Sequence, residues 1–262
     1  MKFDDLDLRM RGFEAIADEP IAEGGQLVAR LDGRGFTKLT KRRLDLQKPF
    51  DPRFRDAMLA TTRQLMHAGL AVVYAYTQSD EISLWFAPDE RCFGRKPRKL
   101  LSVLAGEASA SFSLAMGVAG VFDCRLARLP DVAAVTDYFR WRQQDAIRNA
   151  MIGHVYWRLR AQGLSGRRAT TAMTGLGHAA LGARLRELGG EFDELPTWER
   201  RGVGQRWVWV TREGVDPRTG ETILAQRRQV LVDDELPTGE AYASYLRACV
   251  PSSAESPAAA GA

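Results

Sequence analysis

Two acidic turns constrain this chain more than any other feature. Arg30-Leu31-Asp32-Gly33-Arg34-Gly35-Phe36 closes one alternating β segment, and Tyr76-Thr77-Gln78-Ser79-Asp80-Glu81 lies between two more. Each sets a carboxylate at a strand end, and a glycine-rich turn follows the first. A site that holds a divalent metal on oxygen ligands and a triphosphate on backbone N–H groups needs those parts. They point to phosphoryl or nucleotidyl transfer, which is mostly positioning and charge neutralisation.

The elements around these turns set the fold class. Residues 26–32 alternate, with Leu27, Ala29 and Leu31 facing one way and Val28, Arg30 and Asp32 the other, which predicts a strand with one buried face. Asp51-Pro52 opens a helix that Gly69 stops. Residues 71–77 and 82–86 read as strands joined at the Asp80 turn, 98–116 as a helix with small residues in its middle, and 122–129 as a strand ending at Pro130. Strand, helix, strand, strand, helix, strand is the ferredoxin-like βαββαβ order, an α+β fold with helices on one face of an antiparallel sheet. In that topology the first and third strands are central neighbours, so Asp32 and Asp80 are expected to converge. A palm of residues 1–130 is followed by a helical and β-hairpin extension, 131–250. It reads as a long helix over 131–163 in which Gly153 is a kink or packing point, a short helix over 178–188, a loop around Leu195-Pro196-Thr197-Trp198, and a hairpin from 205–212 and 221–232. Residues 251–262, of Ser, Ala and Pro, read as a disordered tail.

Composition narrows the class further. A chain of 262 residues with 45% hydrophobic content supports a sizeable core. No apolar run is long enough to span a bilayer, and the acidic start Met1-Lys2-Phe3-Asp4-Asp5-Leu6 lacks the marks of a signal peptide. Cys92, Cys124 and Cys249 have no metal spacing and read as free thiols of a reducing compartment, so a cytoplasmic location is expected. His67, His154 and His178 form no zinc pattern. Net charge is only +4, but the cations cluster and arginine dominates, as in Arg167-Arg168 and Arg200-Arg201. Guanidinium suits phosphate contact, and a solvated surface is the plainer alternative.

Asp32 and Asp80 are the candidate catalytic and metal-binding pair, because two crowded carboxylates need a cation between them; the Gly33 carbonyl is a further candidate ligand. The segment Gly33-Arg34-Gly35-Phe36-Thr37 offers backbone donors and a cation to a triphosphate, and Lys99 with Arg98 offers charge at a helix start. Ser79 either touches nucleotide or stabilises its turn. Asp123 and Arg125 read as a cross-strand salt bridge.

Together with Phe122-Asp123-Cys124-Arg125 and Asp137-Tyr138-Phe139-Arg140-Trp141-Arg142-Gln143, the two acidic turns give the chain four ordered motifs. In these it resembles the tRNA-His guanylyltransferase family over roughly residues 8–210. The resemblance implies a polymerase-type palm, two Mg2+ ions on Asp32, Gly33 and Asp80, and an NTP, ATP or GTP, held by residues 32–37 with Ser79 and Asp80. It implies nucleotide addition to the 5′ end of tRNA in the 3′–5′ direction, by a homotetramer. Arg148, Arg167, Arg168, Arg200 and Arg201 are candidate tRNA contacts. The guanylyltransferases proper carry His-Ile-Asn-Asn where this chain has Ile147-Arg148-Asn149-Ala150. With Leu195-Pro196-Thr197-Trp198 and Arg200-Arg201-Gly202, that difference resembles the guanylyltransferase-like branch of bacteria and archaea, which is associated with templated repair of 5′-truncated tRNA. Three alternatives are a palm-type nucleotide cyclase, a forward polymerase, for whose fingers and thumb the length leaves no room, and a non-catalytic RNA-binding module.

Overall fold

The computed structural model describes residues 19–215 and 218–250. The acidic start, the tail 251–262 and part of the hairpin turn at Asp216-Pro217 lie outside the described residues. Six strands form one antiparallel sheet: β1 (Gln26–Gly33), β2 (Val72–Gln78), β3 (Glu81–Phe86), β4 (Phe122–Leu129), β5 (Val203–Val215) and β6 (Thr222–Asp233), in the spatial order β4-β1-β3-β2-β5-β6. The first four are the ferredoxin-like palm, and the hairpin β5–β6 extends the same sheet from the β2 edge. The longer helices are α1 (Pro52–His67), α2 (Pro97–Met116), α3 (Val132–Ala161), α4 (Gly166–Met173), α5 (His178–Glu187), α6 (Thr197–Arg201) and α7 (Gly239–Ala248).

Local chemistry explains where these helices begin. Pro52 stands in the first turn of α1, and the Asp51 carboxylate accepts from the Arg53 N–H at 2.8 Å and the Gln47 N–H at 2.7 Å. The Asp131 side chain caps α3 through the Ala134 N–H. In α2, Ser109 explains the small-residue stretch: its hydroxyl donates to the Ala105 carbonyl and accepts from the Phe122 N–H at 3.0 Å, drawing the helix onto β4.

The sheet is buried on both faces, which corrects the expectation of one buried face for β1. Leu27, Ala29 and Leu31 pack with α1 and α2, as the alternation predicts. Val28 on the other face is fully buried as well, among Tyr74, Tyr76 and Trp85, under Val135 and Phe139 of α3 and Tyr242 and Leu246 of α7. The second half of α3 leaves the sheet and packs Met151, Val155 and Leu159 against α4 and α5. Gly153 is a packing point within this unbroken helix, since a Cβ there would lie 3.5 Å from the Pro49 side chain. The stretch read as a loop near Trp198 holds α6, fixed by the Thr197 hydroxyl donating to Glu235 at 2.6 Å.

Candidate active site

The two acidic turns meet. In the β1–β3 ladder Asp32 lies opposite Glu81, and the Gly33 N–H donates to the Asp80 carbonyl at 3.0 Å. A Cβ on Gly33 would sit 2.5 Å from the Phe36 ring and 2.9 Å from the Asp80 Cβ, so glycine is required for this approach. Asp80 belongs to a two-residue hairpin turn, and Ser79 takes φ 49° there. The Ser79 hydroxyl donates to the Asp80 carboxylate at 3.1 Å, so its side chain serves the turn. Burial pushes the Asp80 carboxyl above the usual carboxylate range, its own backbone N–H and Ser79 pull it back, and the Asp32 charge adds to the rise.

Residues that the sequence reading did not assign a role complete the setting. The Glu81 carboxylate accepts two hydrogen bonds of 2.7 Å from Arg142 on α3, and Arg30 stands 3.6 Å away. Arg142 also reaches Asp145 at 2.9 Å, and Asp145 accepts from Arg148 at 2.7 Å and Asn149 at 3.2 Å. This chain of charges fixes the strand residue that follows Asp80. Its only sequence signal is that Glu81 and Arg142 both fall inside the quoted motifs. Asp123 lies directly opposite Asp32 on β4, and its 3.2 Å pair with Arg125 runs along one strand; the expected cross-strand bridge is corrected to an intrastrand one.

A cleft of about 600 Å³ opens beside the carboxylates, between the sheet end, the segment before α1, and α3. Asp32 and Asp80 stand at one side. Lys41, Lys48 and Arg55 bring positive charge, and Phe50, Trp157 and Trp198 give it flat apolar walls. Lys48 donates to the Thr40 carbonyl at 2.6 Å, and burial lowers its pKa. His154 shares a 2.8 Å hydrogen bond with Glu199 behind the Phe50 ring.

The other predicted residues divide. The N–H groups of Gly33 and Arg34 are committed, to Asp80 and to the Val121 carbonyl at 2.8 Å, while Gly35, Phe36 and Thr37 open the short helix Phe36–Lys38. Phe36 itself is core, its ring packed on Phe54, Phe112 and Phe122. Lys99 is not brought to the carboxylates within one chain. It starts α2, where Arg95 accepts from the Ile21 N–H ahead of β1, at the opposite end of the sheet. Arg167 and Arg168 are exposed on α4, and Arg148 is exposed at the cleft. Arg200 is buried, bonded to the Leu195 carbonyl at 2.8 Å and Asp193 at 3.3 Å, while Arg201 donates to the Leu236 carbonyl at 3.0 Å. Those two guanidinium groups hold α6 to its neighbours and are not free surface cations.

A donor set of two carboxylates and a backbone carbonyl fits magnesium, which is bound through one or two carboxylates plus substrate phosphates more often than in an all-protein cage. Among the described residues no group of three or more His, Cys, Asp or Glu forms such a cage. Nor is any described helix long and apolar enough to cross a membrane.

A palm sheet with paired carboxylates at the β1–β3 end, facing a cationic and aromatic cleft, is the architecture of a nucleotidyltransferase. The family model described as Thg1, tRNAHis guanylyltransferase, matches residues 7–130. A probable tRNA(His) guanylyltransferase of Drosophila melanogaster is 30% identical over 196 residues, 71% of this chain and 68% of that one. The chain belongs to the tRNA(His) guanylyltransferase family. Two solved structures of a bacterial tRNA(His) guanylyltransferase (Thg1)-like protein, one in complex with ATP and one with GTP, are each 25% identical and match 94% of this chain. They superpose with TM-scores of 0.69 over 99% and 0.67 over 98% of their own lengths.

Proposed function

We propose that this protein adds nucleotides to the 5′ end of tRNA by template-directed 3′–5′ extension. The observation that carries the reading is the contact between the Asp32 and Asp80 turns at the mouth of the cleft. In the first step the 5′-monophosphate of the tRNA attacks the α-phosphate of ATP, forming an adenylylated 5′ end and releasing pyrophosphate. In the second, the 3′-hydroxyl of an incoming NTP attacks that activated phosphate and displaces AMP. A 5′-triphosphate end bypasses the first step.

Asp32, Asp80 and the Gly33 carbonyl would hold two magnesium ions, whose chemistry is to neutralise phosphoryl oxygens and lower the pKa of the attacking hydroxyl. The protein's own share is positional. Gly35, Phe36 and Thr37, at the start of the short helix Phe36–Lys38, offer N–H donors to the triphosphate, and Lys41 and Lys48 supply charge across the cleft. Phe50, Trp157 and Trp198 give flat walls without a base-specific hydrogen-bond pattern. Base choice then comes from pairing with the opposite strand of the acceptor stem. Arg148, Arg167 and Arg168 steer the RNA backbone.

Repair of truncated 5′ ends is favoured over addition of one G to a single tRNA. Where guanylyltransferases proper carry His-Ile-Asn-Asn, Arg148 and Asn149 are here bonded to Asp145 at the cleft wall. A homotetrameric assembly is part of the proposal, and exposed Val215, Ile223 and Leu224 near the tip of the β5–β6 hairpin supply apolar surface for contact between copies.

The test offers a tRNA lacking its first nucleotide, with ATP, NTPs and magnesium, and asks which end gains mass. Growth at the 5′ end is expected. Growth at the 3′ end, a cyclic nucleotide, or binding without product would replace this reading by a forward polymerase, a cyclase or a binding module respectively.

A further inference from the structure

The three aromatic rings that wall the cleft beside the carboxylates are not equivalent. The Lys48 Nζ stands 5.8 Å from the Trp157 ring centroid, and the Arg55 guanidinium 4.7 Å from that of Trp198. Phe50 carries no such cation among the described residues. Its ring neighbours are His154, tilted by 36° at 5.5 Å, and Trp198, near perpendicular at 5.9 Å. The rest of this half-buried ring borders the cleft.

What aims Phe50 comes from other parts of the chain. Its backbone lies between two anchors: Lys48 donates to the Thr40 carbonyl at 2.6 Å, and Asp51 accepts from the Gln47 N–H at 2.7 Å. Pro49 rests against α3 at Gly153. The direction of the ring is then set by His154 of α3 and Trp198 of α6. His154 is itself fixed, because its Nε2–H donates to the Glu199 carboxylate of α6 at 2.8 Å, with the two side chains only 8% and 14% exposed. Neither side chain has another hydrogen-bond or ion-pair partner among the described residues. A nearly buried pair of this kind is a weak way to hold two helices together, since apolar residues of similar volume do as well or better. It is an effective way to fix the plane of a ring, since an imidazole bonded through one nitrogen cannot turn about its Cβ–Cγ bond without losing that bond.

We propose that Phe50 is the platform on which the base of the bound nucleoside triphosphate stacks, and that His154 and Glu199 are positioning residues that hold its ring in plane. A hydrocarbon ring offers a π face and no hydrogen-bond code, so it accepts every base, as templated extension demands. The proposal rests on the reading that this cleft holds the triphosphate, and not on the direction of chain growth. The phosphates are held by other groups, so loss of the platform touches the base alone.

The test measures equilibrium binding of ATP, GTP and inorganic tripolyphosphate to the full-length chain in magnesium, without tRNA. Phe50→Ala is expected to weaken ATP and GTP alike by about fivefold or more, the scale of one lost base–aromatic stack, and to leave tripolyphosphate unchanged. Glu199→Ala should weaken both nucleotides, and Glu199→Gln should restore them, since the amide oxygen still accepts from His154. The positioning role is read from the double variant: in the Phe50→Ala background, Glu199→Ala should cost nothing further. Because Glu199 is nearly buried, His154→Gln, judged by the same three ligands, replaces Glu199→Ala if that variant does not fold. Nucleotide affinities unmoved by Phe50→Ala, an equal Glu199→Ala loss in both backgrounds, tripolyphosphate weakened by the same factor as the nucleotides, or no nucleotide binding by the parent protein would overturn the proposal. Absence of 5′ extension together with the expected binding pattern would instead overturn the direction of synthesis and leave the platform standing.

Discussion

Asp32 and Asp80 come to one place by different means. Asp32 ends a strand whose side chains alternate between two buried faces, so its direction is fixed by the register with β3 and β4. Asp80 sits in a two-residue turn and is held by Ser79 and by the fit of Gly33 beneath it. Neither carboxylate is needed to fill the core, and replacement by the isosteric amide keeps the shape while removing the charge. Asp32→Asn and Asp80→Asn should each lower the rate of 5′-end addition by at least about a thousandfold, equivalent to about 4 kcal/mol of barrier. Single-turnover extension on a 5′-truncated tRNA measures the loss, and an unchanged thermal transition shows that the fold survives. A fully active Asp80→Asn would remove it from the catalytic pair.

At the scale of elements, α3 and α1 hold the cleft open from two sides, each through one charged anchor. The α3 anchor is Arg142, nearly buried against Glu81. Breaking a buried pair strands a charge, so Arg142→Met should cost about 3–5 kcal/mol in urea unfolding. Arg142→Lys should recover only part of that, since an ammonium cannot make two parallel bonds to one carboxylate. The α1 anchor is Asp51, whose carboxyl is held well below the usual range by the Arg53 side chain and by the Gln47 and Arg53 N–H groups. The folded state therefore releases this proton more readily than the unfolded chain does. Its contribution is full above the ordinary carboxylate pKa of 3.8 and is lost as pH falls toward the depressed folded value. Asp51→Ala should cost about 1 kcal/mol at pH 7, and the gap from the parent protein should narrow below about pH 4, read from urea midpoints across pH. The palm elements and their two acidic turns were legible because alternation, capping residues and turn residues are local signals. Glu81 and Arg142 were not paired in the sequence reading because each resembles a surface charge until α3 crosses the sheet. The site for Lys99 failed for the opposite reason: a cation at a helix start carries no sign of which end of the sheet that helix begins from.

The whole molecule depends on α7, which gives little sequence warning of its importance. Its ten residues begin at Gly239; Tyr242, Ala243 and Leu246 are buried and Tyr245 packs beside them. They close the face of the sheet that α3 leaves partly open, over Val28, Tyr74 and Trp85. The Tyr242 and Tyr74 hydroxyls meet at 2.9 Å with both side chains fully buried, and burial raises both phenol pKa values. This hydrogen bond joins the C-terminal extension to a palm strand 168 residues earlier, so the extension acts as part of the palm's core. Tyr242→Phe keeps the ring but leaves the Tyr74 hydroxyl without its partner, at a cost of about 1–3 kcal/mol. Tyr74→Phe in the same background should restore part of that loss, because two apolar edges of matched shape replace a broken bond. Chemical denaturation of the single and double variants measures the coupling. If Tyr74→Phe in the Tyr242→Phe background costs as much as it does in the parent protein, the two hydroxyls act independently and α7 is held by its apolar contacts alone.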